Sequence, residues 1–265
     1  MSERRIQDQM GREVSLKGPV KRVVSIVPSQ TEFLYDLGLE EEVVGITKFC
    51  IHPESWYRSK TRVGGTKKLD FEKIRALNPD LIIGNKEENT QEEIELLEKE
   101  FPLWMSDIVS LEDALQMMTC LGEILDRKSM ADHLVSKIRS AFEGLSLGDL
   151  GEGRMPSVLY LIWNKPMMAA GEGTFIHEMI QRAGFENVLE GKNRYPVIEE
   201  GACEPDYVFL STEPYPFGEK DLEEMKQFFP KASIHLVDGE MFSWYGSRLM
   251  KTADYFRRLK SELKN

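Results

Sequence analysis

Short β-branched runs alternate with stretches of helical spacing, and that alternation limits the chain more than any other feature. Val23-Val24-Ser25-Ile26-Val27 is apolar almost throughout, as a strand covered on both faces must be. Pro28-Ser29 stops it, Thr31 is expected to cap a helix through Leu37, and Gly38 closes that helix. Residues 43–46 give the next strand, 71–77 an amphipathic helix stopped at Asn78-Pro79, 81–84 a strand, and 91–99 a strongly charged helix. Ahead of them, residues 6–8 and 14–16 read as a small hairpin across Met10-Gly11. A strand–helix–strand order returns the chain to the same sheet edge each time, so the spacing predicts an α/β class with mainly parallel sheets.

Two helical stretches follow. Apolar residues at 111, 114, 115, 118, 121, 124 and 125, then at 130, 134, 135, 138, 141, 142 and 145, recur at helical spacing, and the Gly-rich 148–153 segment ends them. A second α/β half then begins, with strands at 158–162, 207–210 and 234–237 and helices at 174–183, 222–228 and 247–259. The halves echo each other. Asn78-Pro79-Asp80-Leu81 and Glu204-Pro205-Asp206-Tyr207 share one order, Pro-Asp-strand. The expected architecture is two Rossmann-like lobes joined by one long backbone helix: 1–125, a connecting 126–153, and 154–265. A helix with no Pro, and with Gly144 only in its last turn, resists bending, so the lobes are expected to keep a nearly fixed cleft.

Composition removes whole function classes. The net charge is −11, which repels phosphate backbones, so nucleic acid is not expected as a partner. No apolar run approaches the roughly 18 residues of a membrane span, and a soluble monomer is expected. Three scattered cysteines, Cys50, Cys120 and Cys203, support no disulfide framework. No apolar segment follows Met1, so no secretory signal is read, and a native Met1 would place the chain in the cytoplasm. GxxxxGK[ST], GxSxG and HExxH are absent. Gly171-Glu172-Gly173-Thr174 opens a helix and reads as a helix-entry turn, with an anion held on its N–H groups as the alternative. Cys50 and His52 stand in Cys-x-His spacing, but no further protein ligand accompanies them, so no metal site is assigned.

Ligands of open α/β sheets bind beyond the carboxyl ends of the strands. The aromatic and polar residues expected there are Ser29, Gln30, Phe49, His52 and Asn85 in the first half. In the second they are Trp163, Asn164, Arg194, Tyr195, Tyr215, Phe217, Phe242, Trp244, Tyr245 and Arg248. About half of the aromatics should instead pack on neighbouring helices. Trp163, Tyr195, Trp244 and Tyr245 would form apolar walls, and Arg194 and Arg248 would grip carboxylate, phosphate or amide groups. Trp244→Ala is expected to weaken binding roughly tenfold with the fold intact.

Lys21-Arg22-Val23-Val24-Ser25-Ile26-Val27-Pro28-Ser29-Gln30-Thr31-Glu32 resembles the opening strand and loop of the helical-backbone (class III) periplasmic binding proteins. Gly38 with 43–46, Arg62-Val63-Gly64-Gly65-Thr66, the LDFEKIRALNPDLII stretch, Gly173-Thr174, Ala183-Gly184 and Asn187-Val188 resemble its later blocks in order. The family comprises substrate-binding components of ABC importers for cobalamin, ferric siderophores and haem. Phe49–Pro53, the Gly64-Gly65-Thr66 turn and Asn85–Asn89 are most similar to the cobalamin branch and add Gly65 to the ligand set. The resemblance implies a periplasmic receptor without catalysis or a covalent cofactor. It would carry a corrinoid or iron chelate between its lobes to an ABC permease dimer. It also implies one docking glutamate per lobe: Glu72 on the first, Glu199 or Glu200 on the second.

Three rivals remain at this point. One is a cytoplasmic corrinoid or metal-chelate carrier. Another is a chelate-processing enzyme of the same build, which would need an acid or base such as His52, Glu87 or Asp238. A lobe pair that serves only a protein partner would bind no chelate.

Overall fold

The computed structural model describes residues 3–145, 154–199 and 201–264. The Gly-rich 148–153 segment, Met1 and Glu200 lie outside them. The chain divides into two compact units. The first holds residues up to Ile108, Glu112–Lys137 and Tyr245–Arg248; the second holds Val109–Leu111, Ile138–Trp244 and everything from Leu249.

The first unit opens with a hairpin of β1 (Arg4–Gln7) and β2 (Glu13–Leu16), antiparallel as the sequence suggests. Next come β3 (Val23–Ser25), α1 (Pro28–Asp36), β4 (Val43–Ile46), α2 (Glu54–Ser59) and β5 (Thr61–Arg62). A two-stranded ribbon of β6 (Gly64–Gly65) and β7 (Lys68–Leu69) leads into α3 (Phe71–Leu77) and β8 (Leu81–Asn85). The unit continues through α4 (Gln91–Leu97), β9 (Leu103–Ser106) and α5 (Leu111–Ile124). Its sheet runs β5-β4-β3-β8-β9, parallel throughout. In order of appearance that is 3-2-1-4-5, a doubly wound sheet whose strand order reverses between β3 and β8. Val24, Ile26, Ile74, Ile82, Ile94 and Leu97 form the core that the sheet shares with α3 and α4.

Helix α6 (Lys128–Glu143) carries the boundary between Lys137 and Ile138. Its 16 residues span about 24 Å at roughly 1.5 Å per residue. The second unit contains β10 (Ser157–Trp163), β11 (Met168–Ala169), α7 (Phe175–Arg182), β12 (Glu186–Asn187), β13 (Tyr207–Ser211), α8 (Glu219–Phe228), β14 (Ser233–Val237), α9 (Glu240–Ser243) and α10 (Leu249–Leu263). Strands β10, β13 and β14 are parallel neighbours, with β12 parallel on the far side of β10 and β11 the single antiparallel strand. Here too the order reverses at the first strand, between β10 and β13.

The class is therefore α/β with mainly parallel sheets, and several local expectations are corrected. Pro28 does not merely end β3; it is the first residue of α1, where its missing N–H costs nothing. Thr31 lies inside that helix and is buried, its hydroxyl donating to the carbonyl of Val27 at 2.9 Å. The two helical stretches expected over 111–145 are present as α5 and α6, parted by Asp126 in a left-handed backbone (φ 54°). The last helix starts at Leu249 rather than Ser247.

The Pro-Asp echo has the same meaning in both units. The N–H of Asp80 donates to the carbonyl of Arg22, and its carboxylate accepts the N–H groups of Lys21 and Arg22, both at 2.9 Å. The N–H of Asp206 donates to the carbonyl of Ser157, and its carboxylate accepts the Ser157 N–H at 2.7 Å. Each clamp pins the start of a unit's first parallel strand to the strand across the switch point.

Candidate functional site

In the first unit the carboxyl ends of β3 and β8 carry a buried polar hub. Ser106, the last residue of β9, accepts the side-chain amide of Gln30 at 2.5 Å and that of Asn85 at 3.0 Å. Its own hydroxyl donates to the carbonyl of Gly84. The carbonyl oxygen of the Asn85 side chain accepts the N–H groups of Glu87 and Glu88, which folds the loop after β8 into a tight turn. Ser29, Gln30, Asn85 and Ser106 are all buried. Tyr245 is buried with its hydroxyl in the neighbourhood of Ser29 and Ser106. Burial pushes its ionisation well above the normal phenol range, and the negative charges of Glu88 and Glu87 add to the shift. Tyr245 is thus a neutral phenol.

The loop after β4 carries Phe49, half exposed at 50%. Lys48 Nζ lies 5.0 Å from its ring centre. On the ring's other contact is Gly65: a Cβ there would come within 3.1 Å of Phe49 Cε2, so glycine lets the ring settle onto the β6–β7 ribbon. His52 is half-buried in the same loop. Cys50 is buried, with its sulfur 3.1 Å from the Thr31 hydroxyl and 3.2 Å from that of Thr47. Burial pushes its pKa up and keeps it a thiol, which argues against a thiolate–imidazole pair with His52.

In the second unit the reversal between β10 and β13 gathers aromatics. Trp163 ends β10 and is 41% exposed. Its ring meets Tyr215 edge-on at 5.5 Å, and Tyr215 meets Phe217 at 4.6 Å. Asn164 turns inward, donating to Glu224 and Asp221 at 3.2 and 3.3 Å. Arg194 stands in a left-handed backbone (φ 59°) beside Tyr195, with its guanidinium 5.8 Å from that ring. Its backbone is zipped to the segment before α7: its N–H donates to Glu172 and its carbonyl accepts from Gly171 at 2.6 Å. The N–H groups of Gly171 and Glu172 are therefore spent on the carbonyls of Arg194 and Lys192, as suits a helix-entry turn rather than an anion site.

Three expected ligand residues have other work. Phe242 is fully buried among the rings of Tyr160 and Phe256, at 5.0 and 4.9 Å. Trp244 is buried and its indole hydrogen-bonds the Glu213 carboxyl group, which also accepts the Ser243 hydroxyl at 2.6 Å. Burial raises the pKa of Glu213 against those bonds. Arg248 is buried and forked onto Glu32, Nε to Oε2 at 2.7 Å and Nη2 to Oε1 at 2.9 Å. Sequence reading missed Ser106, Glu32 and Glu213 as participants. Ser106 ends β9, a strand the sequence reading did not assign, and the two glutamates read as two of 45 acids.

Of the expected docking glutamates, Glu72 sits exposed in the first turn of α3 and pairs with Arg75 at 2.6 Å, and Glu199 is exposed.

A profile of the periplasmic binding protein family matches residues 23–231. A vitamin B12-binding protein of Vibrio campbellii is 25% identical over 183 residues, 68% of this chain and 66% of that protein. An uncharacterized ABC transporter substrate-binding lipoprotein of Bacillus subtilis is 26% identical over 195 residues, 71% of this chain and 60% of its own length. The chain thus spans 60–66% of the length of these two relatives. The crystal structure of the periplasmic vitamin B12-binding protein BtuF of Vibrio cholerae superposes with a TM-score of 0.78 at 18% identity, covering 93% of this chain and 99% of that one.

Proposed function

The chain belongs to the periplasmic binding protein family, a family of binding proteins rather than enzymes, and from that premise we propose that it captures a metal chelate and delivers it to an ABC importer permease. Cobalamin is the first candidate, a ferric siderophore or haem the next. The observation that carries this reading is the aromatic ladder Trp163–Tyr215–Phe217, placed where the strand order of the second unit reverses. Flat aromatic faces offer large, rigid contact area at little entropic cost, which suits a broad macrocycle better than a bare ion. Phe49 on Gly65 supplies a second such face in the first unit. Among the described residues no three His, Cys, Asp or Glu side chains gather as a metal site.

Glu72 and either Glu199 or Glu200 are the proposed contacts with permease cations, and the proposed compartment is extracytoplasmic. Relatives named for vitamin B12 binding and for ABC transport support the assignment. Among the described residues no helix is long and apolar enough to cross a membrane.

The test is gel filtration after mixing with cyanocobalamin, haemin or a ferric hydroxamate, with visible absorbance read in the protein peak. One equivalent of chemically intact chelate retained is the expected result. Recovery of altered chelate would convert the reading to an enzyme, and retention of none would overturn it.

A further inference from the structure

Tyr245–Arg248 is counted with the first unit, although the residues before and after it belong to the second. Three features fasten it. Tyr245 is only 6% exposed and lies near Ser29 and Ser106. Gly246, at φ 95°, lies so close to α1 that a Cβ would stand 3.2 Å from Phe33 Cβ and 3.3 Å from the Ser29 carbonyl. Arg248 forks onto Glu32 on the same helix through two bonds of 2.7 and 2.9 Å, with both side chains at or below 10% exposure. The segment therefore lies against the polar groups at the point where a doubly wound sheet ordinarily admits its ligand.

Docking it there has a cost. The Ser247 hydroxyl and the Gln30 side-chain carbonyl are both buried without a hydrogen-bond partner. A glycine-only backbone and two unmade hydrogen bonds would not hold a four-residue segment by themselves. The buried fork between Arg248 and Glu32 offsets that cost, because a charge-assisted bidentate pair is both stronger and more directional than a neutral bond.

We infer that Tyr245–Arg248 is a latched strap filling the switch-point crevice of the first unit, and that Glu32 and Arg248 are positioning residues whose fork holds the buried Tyr245 in place as the floor of that unit's ligand-facing edge. Ligand groups meet this floor rather than the sheet ends beneath it. The ligand part of the inference rests on the binding-protein reading; the strap itself does not.

The test uses the full chain with Cys120→Ser and Cys203→Ser, and with Ser247→Cys as reporter. Iodoacetamide labelling is located by peptide mass, and the buried Cys50 serves as an internal control for the fold of the unit. Three forms are compared: latch intact, Glu32→Gln, and Glu32→Gln with Arg248→Met, which leaves no unpaired buried charge. The latch variants are expected to label at Ser247→Cys at least tenfold faster while Cys50 stays slow. Their affinity for cyanocobalamin, read by tryptophan fluorescence, should fall at least tenfold. An unchanged rate in the double variant would overturn the latch. So would Cys50 labelling in step with the reporter, because the pair would then be ordinary core. Fast labelling with unchanged affinity would overturn the positioning role. If the intact chain takes up no cyanocobalamin, the functional reading fails, and the labelling rates alone still decide for or against the strap.

Discussion

Two carboxyl groups in the second unit respond to their surroundings in opposite directions, and each gives a pH signature. Asp206 is held well below the usual carboxylate range, first by the Arg154 guanidinium and then by the Ser157 backbone and hydroxyl. Its stabilising contribution is present above the unfolded pKa of about 3.9 and is lost as pH falls below it. Asp206→Asn should therefore lower the melting temperature at pH 7 and flatten the acid limb of stability against pH. Glu213 is raised by burial, so ionising it costs more in the folded chain than in the unfolded one. Stability is lost as pH rises from about 4.3 through the folded value, and Glu213→Gln should melt higher than the parent at pH 7–8, with the difference vanishing near pH 4. The aromatic residues divide in the same way by environment. Trp163→Ala should weaken chelate binding roughly tenfold, about 1.4 kcal/mol, with melting unchanged, because the indole is 41% exposed. Trp244→Ala should cost about 3–5 kcal/mol of stability, since it empties a buried site and strips Glu213 of a partner. Calorimetry beside a binding titration separates the two outcomes.

Helix α7 shows how directly some elements are written in the chain. Thr174 is its N-cap and accepts the His177 N–H at 3.2 Å, and Gly184 beyond it takes φ 79°. Thr174→Ala should cost about 1 kcal/mol, measurable by denaturant unfolding. The long parallel strands were legible for a similar reason: residues such as Ile82 and Ile83 are buried on both faces and leave an unbroken apolar run. The Pro-Asp echo was legible as a pattern, while its role as a backbone clamp emerged only from the bonds. The shortest helices were not legible. Helices α2 and α9 have six and four residues, too few to show a period. The candidate site was readable as a set of loops after strands, because strand ends locate themselves. Which loop residue stays in the open is a tertiary matter: Phe49 and Trp163 do, whereas Phe242 and Arg248 are claimed by neighbours far away in sequence.

At the scale of the molecule, neither unit is a continuous stretch of chain. A fragment ending at Lys137 would lack Tyr245–Arg248 and leave Glu32 without its fork. It should bind a hydrophobic dye and melt below the intact chain, and adding a peptide of residues 240–252 at high concentration should partly reverse both effects. The four tryptophans are also distributed unevenly with respect to solvent: Trp56 and Trp104 are sealed, Trp244 is nearly so, and Trp163 alone stands well open. The emission of this protein accordingly contains a built-in optical probe at the aromatic ladder. Acrylamide will silence the red-shifted part of the spectrum first, and any guest that stacks on that indole will shield the same part from acrylamide, so occupancy can be followed without attaching a dye.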